Sequence, residues 1–273
     1  MMVTTMPSGL SVEELTFGFG RPGSAQFTRA VQNLSISIDA GEVVGILGPN
    51  GSGKSTFLKL LAKVLIPQRG SITLFGQPYD SLSQVEIALR VALVPQETHQ
   101  VFPFTIREMV LMGRFPHYGR SLGFRWESAN DREIATQSMR DMDVCHLGAR
   151  LITDVSGGER QRAIIARALT QEPEVLLLDE PTAFLDLHHQ LDIARTIRRL
   201  NQERGITVIL VSHDLNLASQ YCDRLVLLQD GAIVKVGLPQ EVITQETLEP
   251  VYGCQVLIDR HPQNDRPRVT LPV

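Results

Sequence analysis

Cysteine is scarce: Cys145, Cys222 and Cys254 stand far apart and are odd in number. Neither a disulfide framework nor a Cys-x-x-Cys metal or redox pair can be drawn, which suits a reducing compartment. Long apolar runs are missing as well. The stretch from Ile206 to Val211, interrupted by Thr207, falls far short of the roughly 18 residues of a membrane-spanning helix. Met1 to Leu10 holds no charged segment followed by an apolar one, so no secretory signal is expected. Nor is there a surplus of positive charge: 26 Lys and Arg face 30 Asp and Glu, a net charge of -4. That balance argues against nucleic acid as the main partner. What remains is an ordinary globular composition, 43% hydrophobic and 21% charged over 273 residues, sized for one large domain or two small ones.

Short β-branched runs alternate with helical stretches, which predicts an α/β fold. The strand candidates are Val43 to Leu47, Ser71 to Leu74, Val91 to Val94, Val175 to Leu178 and Thr207 to Val211, nearly all apolar, as for strands covered on both faces. Arg224 to Leu228 and Ala232 to Val236 flank Asp230-Gly231, the pattern of a hairpin. From about Thr105 to Thr170 no strand is expected. Thr105-x-x-Glu108 is a capping box before an apolar run, and Ser128 to Met142 and Gly157 to Leu169 read as further helices, so a helical insert is expected there.

Gly48-Pro49-Asn50-Gly51-Ser52-Gly53-Lys54-Ser55 satisfies G-x-x-x-x-G-K-[ST] between a strand candidate and the helix that begins at Thr56. Its glycines let backbone N–H groups curl around phosphate oxygens. Lys54 neutralises the β and γ oxygens, and Ser55 can ligate Mg²⁺. Asp179 and Glu180 follow an apolar strand, where open α/β sheets bind ligands. Asp179 is placed to hold Mg²⁺ and Glu180 to orient the attacking water. Ser156-Gly157-Gly158-Glu159 offers either a lysine-free anion site or an ordinary N-cap with an acidic first turn.

In order, these motifs, with Gln96 after Val94-Pro95, Val155-Ser156-Gly157-Gly158-Glu159-Arg160-Gln161, Leu178-Asp179-Glu180-Pro181, Ala183-Phe184-Leu185-Asp186 and Ser212-His213-Asp214, resemble the ATP-binding subunits of ABC transporters. The likeness covers essentially the whole chain. It implies a RecA-like P-loop NTPase core with a mixed sheet and an antiparallel β piece, about 1–98 and 172–258. A helical subdomain would span about 99–171 and a C-terminal extension 259–273. It implies ATP and Mg²⁺ as cofactors, and a head-to-tail dimer in which Ser156, Gly157 and Gly158 of one copy complete the site built by Lys54 of the other. Gln96 would serve Mg²⁺ and the attacking water and sense a membrane partner. His213 would contact the γ-phosphate, and Asp186 would lie at the dimer seam. Phe19 matches the aromatic position on which adenine stacks, with Phe17 as the competing residue. A non-transport ABC ATPase would generally carry tandem cassettes or long inserts, and a non-hydrolysing module would not need Glu180 and His213.

Thr105 to His117, Pro181 to Gln190, Ser212 to Ala218 and Val251-Tyr252-Gly253 are similar to ATPases of iron-siderophore, haem and cobalamin importers. That similarity implies a separate membrane permease, a substrate-binding protein that delivers the cargo, and work at the cytoplasmic face of the inner membrane. Six of the fifteen aromatics, Phe102, Phe104, Phe115, Tyr118, Phe124 and Trp126, cluster in the insert. They either pack it internally or line a groove for a permease helix. Adjacent His188 and His189 point about 100° apart on a helix and lack a completing ligand, so no metal is expected there. Arg260, Arg266 and Arg268 in the tail are expected to form a solvated basic face without chemistry.

Overall fold

The computed structural model describes residues 8–21, 27–96, 103–118, 127–270 and 272. The chain divides into two compact units, Met1–Leu82 with Thr207–Val273, and Ser83–Ile206.

The first unit opens on β1 (Ser8–Phe19) and β2 (Thr28–Asp39), paired antiparallel. Buried residues run Leu10, Val12, then Leu15 in β1, and Val31, then Leu34, Ile36 and Ile38 in β2. Each jump of three goes with a shift of register and a left-handed residue, Glu14 at φ 49° and Asn33 at φ 48°. The two bulges return the apolar side chains to one face. Their amides are satisfied by side chains: Glu14 N–H donates to Ser35 Oγ at 2.8 Å, and Asn33 N–H to Thr16 Oγ1 at 3.1 Å. Next come β3 (Val43–Leu47), buried throughout, then α1 (Lys54–Leu61), β4 (Arg69–Leu74) and β5 (Gln77–Pro78). Ser71 to Leu74 was expected beside the apolar core strands; β4 instead pairs antiparallel with β1 in the sheet β2-β1-β4-β5. In β4 only Ile72 and Leu74 are buried, as in a strand covered on one face.

The second unit contains α2 (Gln84–Arg90), β6 (Val91–Val94), α3 (Ile106–Leu111), α4 (Ala129–Asp141), α5 (Gly157–Thr170), β7 (Val175–Asp179) and α6 (Leu187–Arg204). β6 and β7 are parallel, and α3, α4 and α5 pack on one another. Capping boxes start four of these helices, at Ser83, Thr105, Ser128 and Ser156. Among the described residues between 105 and 170, extended pairing is limited to one bridge, Thr105 to Leu151. Arg114, 5% exposed, ties the insert together: its Nε donates to Asp131 at 2.9 Å, and its Nη1 to the Thr170 carbonyl at 2.9 Å and to Glu172 at 2.7 Å.

The first unit resumes with β8 (Thr207–Val211), α7 (Leu215–Tyr221), β9 (Arg224–Gln229), β10 (Ala232–Gly237), α8 (Pro239–Val242), α9 (Gln245–Tyr252), β11 (Leu257–Arg260) and β12 (Pro267–Thr270). Within this unit β3 lies parallel between β8 and β9, and β10 runs antiparallel to β9 through a turn with Asp230 at φ 49° and Gly231 at φ 81°. The C-terminal tail lies at the surface. It folds into the hairpin β11–β12 and docks on α7, where Asn216 exchanges two hydrogen bonds with Val269, at 2.8 and 3.1 Å, and Ser219 Oγ donates to the Pro267 carbonyl at 2.7 Å. Arg260 and Arg268 are solvated, and each arginine of the tail has a partner. Arg268 pairs with Asp259 at 2.7 Å and Arg260 with Asp265 at 2.5 Å, while Arg266 donates to the carbonyls of Ser219 and Cys222.

Candidate functional site

Between β3 and α1 the chain curls through Gly48 at φ 145°, Gly51 at φ 80° and Gly53 at φ 97°. Gly53 caps α1 without a side-chain bond, and no acid occupies the first turn. Neither a side-chain cap nor an acidic residue therefore offsets the positive end of the helix. Lys54, 5% exposed, donates its ammonium to the Gly48 carbonyl at 2.8 Å and the Pro49 carbonyl at 2.9 Å, which holds the charge inside the curve. Asn50 and Gly51 are exposed at its crest, and Ser55 and Thr56 are partly exposed in the first turn of α1.

The outer side of the curve is gripped by residues that the motif does not announce. Gly231 N–H donates to the Ser52 carbonyl at 3.1 Å. Gln32 holds the same turn, donating its amide to Gly231 O and its side chain to Asp230 O, both at 2.7 Å. Asp230-Gly231 is readable as a turn, but not as a clamp on the loop. Tyr252, at the end of α9, buries its hydroxyl beside Gly48. Burial pushes the phenol up to about 12, partly offset by the Gly48 backbone.

His213 is exposed between β8 and α7, with Asp214 capping α7 through bonds of 2.9 Å to the amides of Asn216 and Leu217. Phe19 is 49% exposed, whereas Phe17 is half-buried and meets it edge to face at 5.0 Å between centroids. Of the two rings, Phe19 presents the more open surface.

In the second unit Asp179 ends β7 at 4% exposure, and Glu180 follows in the left-handed region at φ 50°. Gln96, exposed after β6, donates its side-chain amide to the Glu180 carboxylate at 2.6 Å. Two residues from the ends of adjacent parallel strands thus form one polar pair. Ser156 is the N-cap of α5: its Oγ accepts from Glu159 N–H at 3.3 Å, and its N–H donates to the Glu159 carboxylate at 2.8 Å. Hydrogen bonds to the carboxyl from the Ser156 amide, then from its hydroxyl, hold Glu159 below its usual range. Ser156 and Gly157 stay exposed at the head of the helix.

Asp186 is the N-cap of α6, accepting from His189 N–H at 2.9 Å and bonding His189 Nδ1 at 2.7 Å. The His189 backbone and ring hold its carboxyl below the usual range. His188 pairs instead with Asp192 at 3.3 Å. Phe102, Phe124 and Trp126 lie outside the described residues; Phe104 is half-buried, and Phe115, 63% exposed, lies 6.0 Å from the ring of Tyr118. The oxygens of Ser55, Asp179 and Gln96 are the hard donors that Mg²⁺ prefers. Among the described residues no group of three His, Cys, Asp or Glu could hold a metal by itself, and no helix is long and apolar enough to cross a membrane.

The ABC transporter family model matches residues 31–183. The chain is 38% identical to the ferric enterobactin transport ATP-binding protein of Escherichia coli (strain K12), across 98% of this chain and 95% of that one. It is 40% identical to the hemin import ATP-binding protein of Escherichia coli O157:H7, across 91% and 96%. Among solved structures, a metal-chelate-type ABC transporter in an inward-facing conformation matches with a TM-score of 0.81, at 29% identity and over 96% of both chains. A dimeric ATP-binding cassette in a post-hydrolysis state with ADP and phosphate matches with a TM-score of 0.73, at 27% identity, over 84% of this chain and 98% of that one.

Proposed function

This chain belongs to the ABC transporter family as an ATP-hydrolysing subunit, and from that premise we propose that it powers an importer of iron-siderophore, haem or cobalamin cargo. Two copies close head to tail around two Mg-ATP, and the motion drives a separate permease at the cytoplasmic face of the inner membrane, with a substrate-binding protein supplying cargo. The cargo class is supported by near-full-length similarity to the enterobactin and hemin proteins. The dimer is supported by likeness to a dimeric cassette and by an anion turn at Ser156 that has no lysine of its own.

The observation that carries the chemistry is the hydrogen bond from Gln96 to Glu180. A carboxylate that is to accept a proton from water must be aimed, and the Gln96 amide fixes the Glu180 carboxylate at one oxygen. The Gly48–Gly53 backbone and Lys54 hold the phosphates, Ser55, Gln96 and Asp179 would hold Mg²⁺, and Phe19 stacks on adenine. Mg²⁺, when bound, neutralises charge on the phosphate oxygens. His213 steadies the γ-phosphate, Ser156, Gly157 and Gly158 of the second copy cover it, and Asp186 lies at the seam. In domain terms, 1–98 and 172–258 carry this core, 99–171 the helical subdomain that meets the permease, and 259–273 an extension.

Glu180→Gln is the test. It should keep Mg-ATP binding, lower turnover by about 10²- to 10⁴-fold, and trap an ATP-dependent dimer on size exclusion. Unchanged turnover would remove Glu180 from the chemistry, and an export-type permease co-purifying with the chain would overturn the importer reading.

A further inference from the structure

His189 has a role in neither the proposed chemistry nor metal binding, yet its ring joins two parts of the site. Nδ1 bonds Asp186 Oδ1 at 2.7 Å while the backbone amide of the same residue reaches the same oxygen at 2.9 Å. The opposite edge of the ring lies on Gly158: a β-carbon there would stand 2.4 Å from His189 Cδ2 and 2.9 Å from Nε2. Gly158 is buried and its φ is not in the left-handed region, so a β-carbon there would have to displace the ring and would meet no backbone strain. Neighbouring His188 turns outward, its side chain 79% exposed against 27% for His189.

We propose that His189 is a positioning residue that locks the Ser156–Gly158 turn at the head of α5 to the Asp186 turn at the head of α6. The two turns then move as one piece when a second copy closes over nucleotide. The flat ring fits against a glycine where a branched side chain would not, and the Nδ1 proton directed at Asp186 fixes its rotation. The proposal rests on the reading of Ser156–Gly158 as the phosphate contact of the second copy.

The test compares His189→Ala and His189→Phe, the latter keeping a ring over Gly158 without the bond to Asp186. Each should lower turnover at saturating Mg-ATP by about 10- to 100-fold, the scale of a displaced contact group, with the Kd for Mg-ATP and the Tm unchanged. Turnover near wild type overturns the proposal, and so does a loss matched by weaker nucleotide binding or a lower Tm. Gly158→Ala should be inactive and recover to the level of His189→Ala when the two are combined; no recovery overturns the ring contact. Dimer formation in a Glu180→Gln background separates this proposal from the reading beneath it. If that variant never dimerises with Mg-ATP, the dimer reading fails. If it does, and adding His189→Ala leaves the dimer affinity unchanged, the role of His189 alone fails.

Discussion

A β-carbon placed on Gly48 would stand 2.2 Å from the carbonyl oxygen of Leu228, with the backbone already at φ 145°. The first glycine of the Gly48–Gly53 loop is thus fixed by the neighbouring strand β9 as well as by its own dihedral. Gly51, three residues on, is also left-handed at φ 80°, yet a β-carbon there meets nothing within 4 Å. Two glycines of one motif therefore carry different constraints. Gly48→Ala must displace either β9 or the carbonyl that holds Lys54, and it should abolish Mg-ATP binding. Gly51→Ala adds only left-handed strain of about 1–2 kcal/mol and should retain weakened binding. Titration with a fluorescent ATP analogue checks the pair, and equal losses in both would refute the distinction.

Arg114 is the hub of the second unit, its side chain 6% exposed between Asp131 and Glu172. Removing it strands the buried Asp131 carboxylate, which its Ser128 and Arg114 bonds hold below the usual range despite the opposing effect of burial. Arg114→Ala should therefore cost about 3–5 kcal/mol in denaturant unfolding. Lysine cannot supply the forked donors that reach Asp131, Thr170 and Glu172 together, so Arg114→Lys should recover little of it. A loss below about 1 kcal/mol for Arg114→Ala would show that the network is not stabilising.

Legibility followed the range of the interactions. Val43 to Leu47 and Thr207 to Val211 are buried at every position, so their unbroken apolar runs declare them strands. Asp230-Gly231 is equally plain because turn chemistry is local. β1 and β2 escape because the bulges at Glu14 and Asn33 shift the alternation by one residue partway along. The site divides in the same way. Gly48 to Ser55 is a contiguous signal, but the Gln96–Glu180 bond spans 84 positions, and spacing alone does not pair them. The ring of His189 meets Gly158 across 31 positions of sequence, a contact that no local pattern encodes.

The tail shows the same limit, and it supplies a pH test. Asp259 in β11 accepts from Arg268 Nε at 2.7 Å and Nη2 at 2.9 Å, and from Thr270 Oγ1 at 2.9 Å. The bonds from Arg268, then Thr270, lower its carboxyl to about 2 from an ordinary 3.8. Because the folded value is the lower one, the carboxylate's contribution to the hairpin is fully present above about pH 4, and it is lost as the pH falls through about 2. Asn216, which grips Val269 through both side-chain atoms, should hold β12 on α7 until the Asp259 clasp opens. Amide chemical shifts of residues 257–270 should therefore stay constant from neutral pH down to about 4 and then drift toward unstructured values as Asp259 takes up its proton. Asp259→Asn should remove that acid-dependent step while loosening the hairpin at neutral pH. A wild-type profile identical to that of Asp259→Asn would mean that the clasp does not hold the tail.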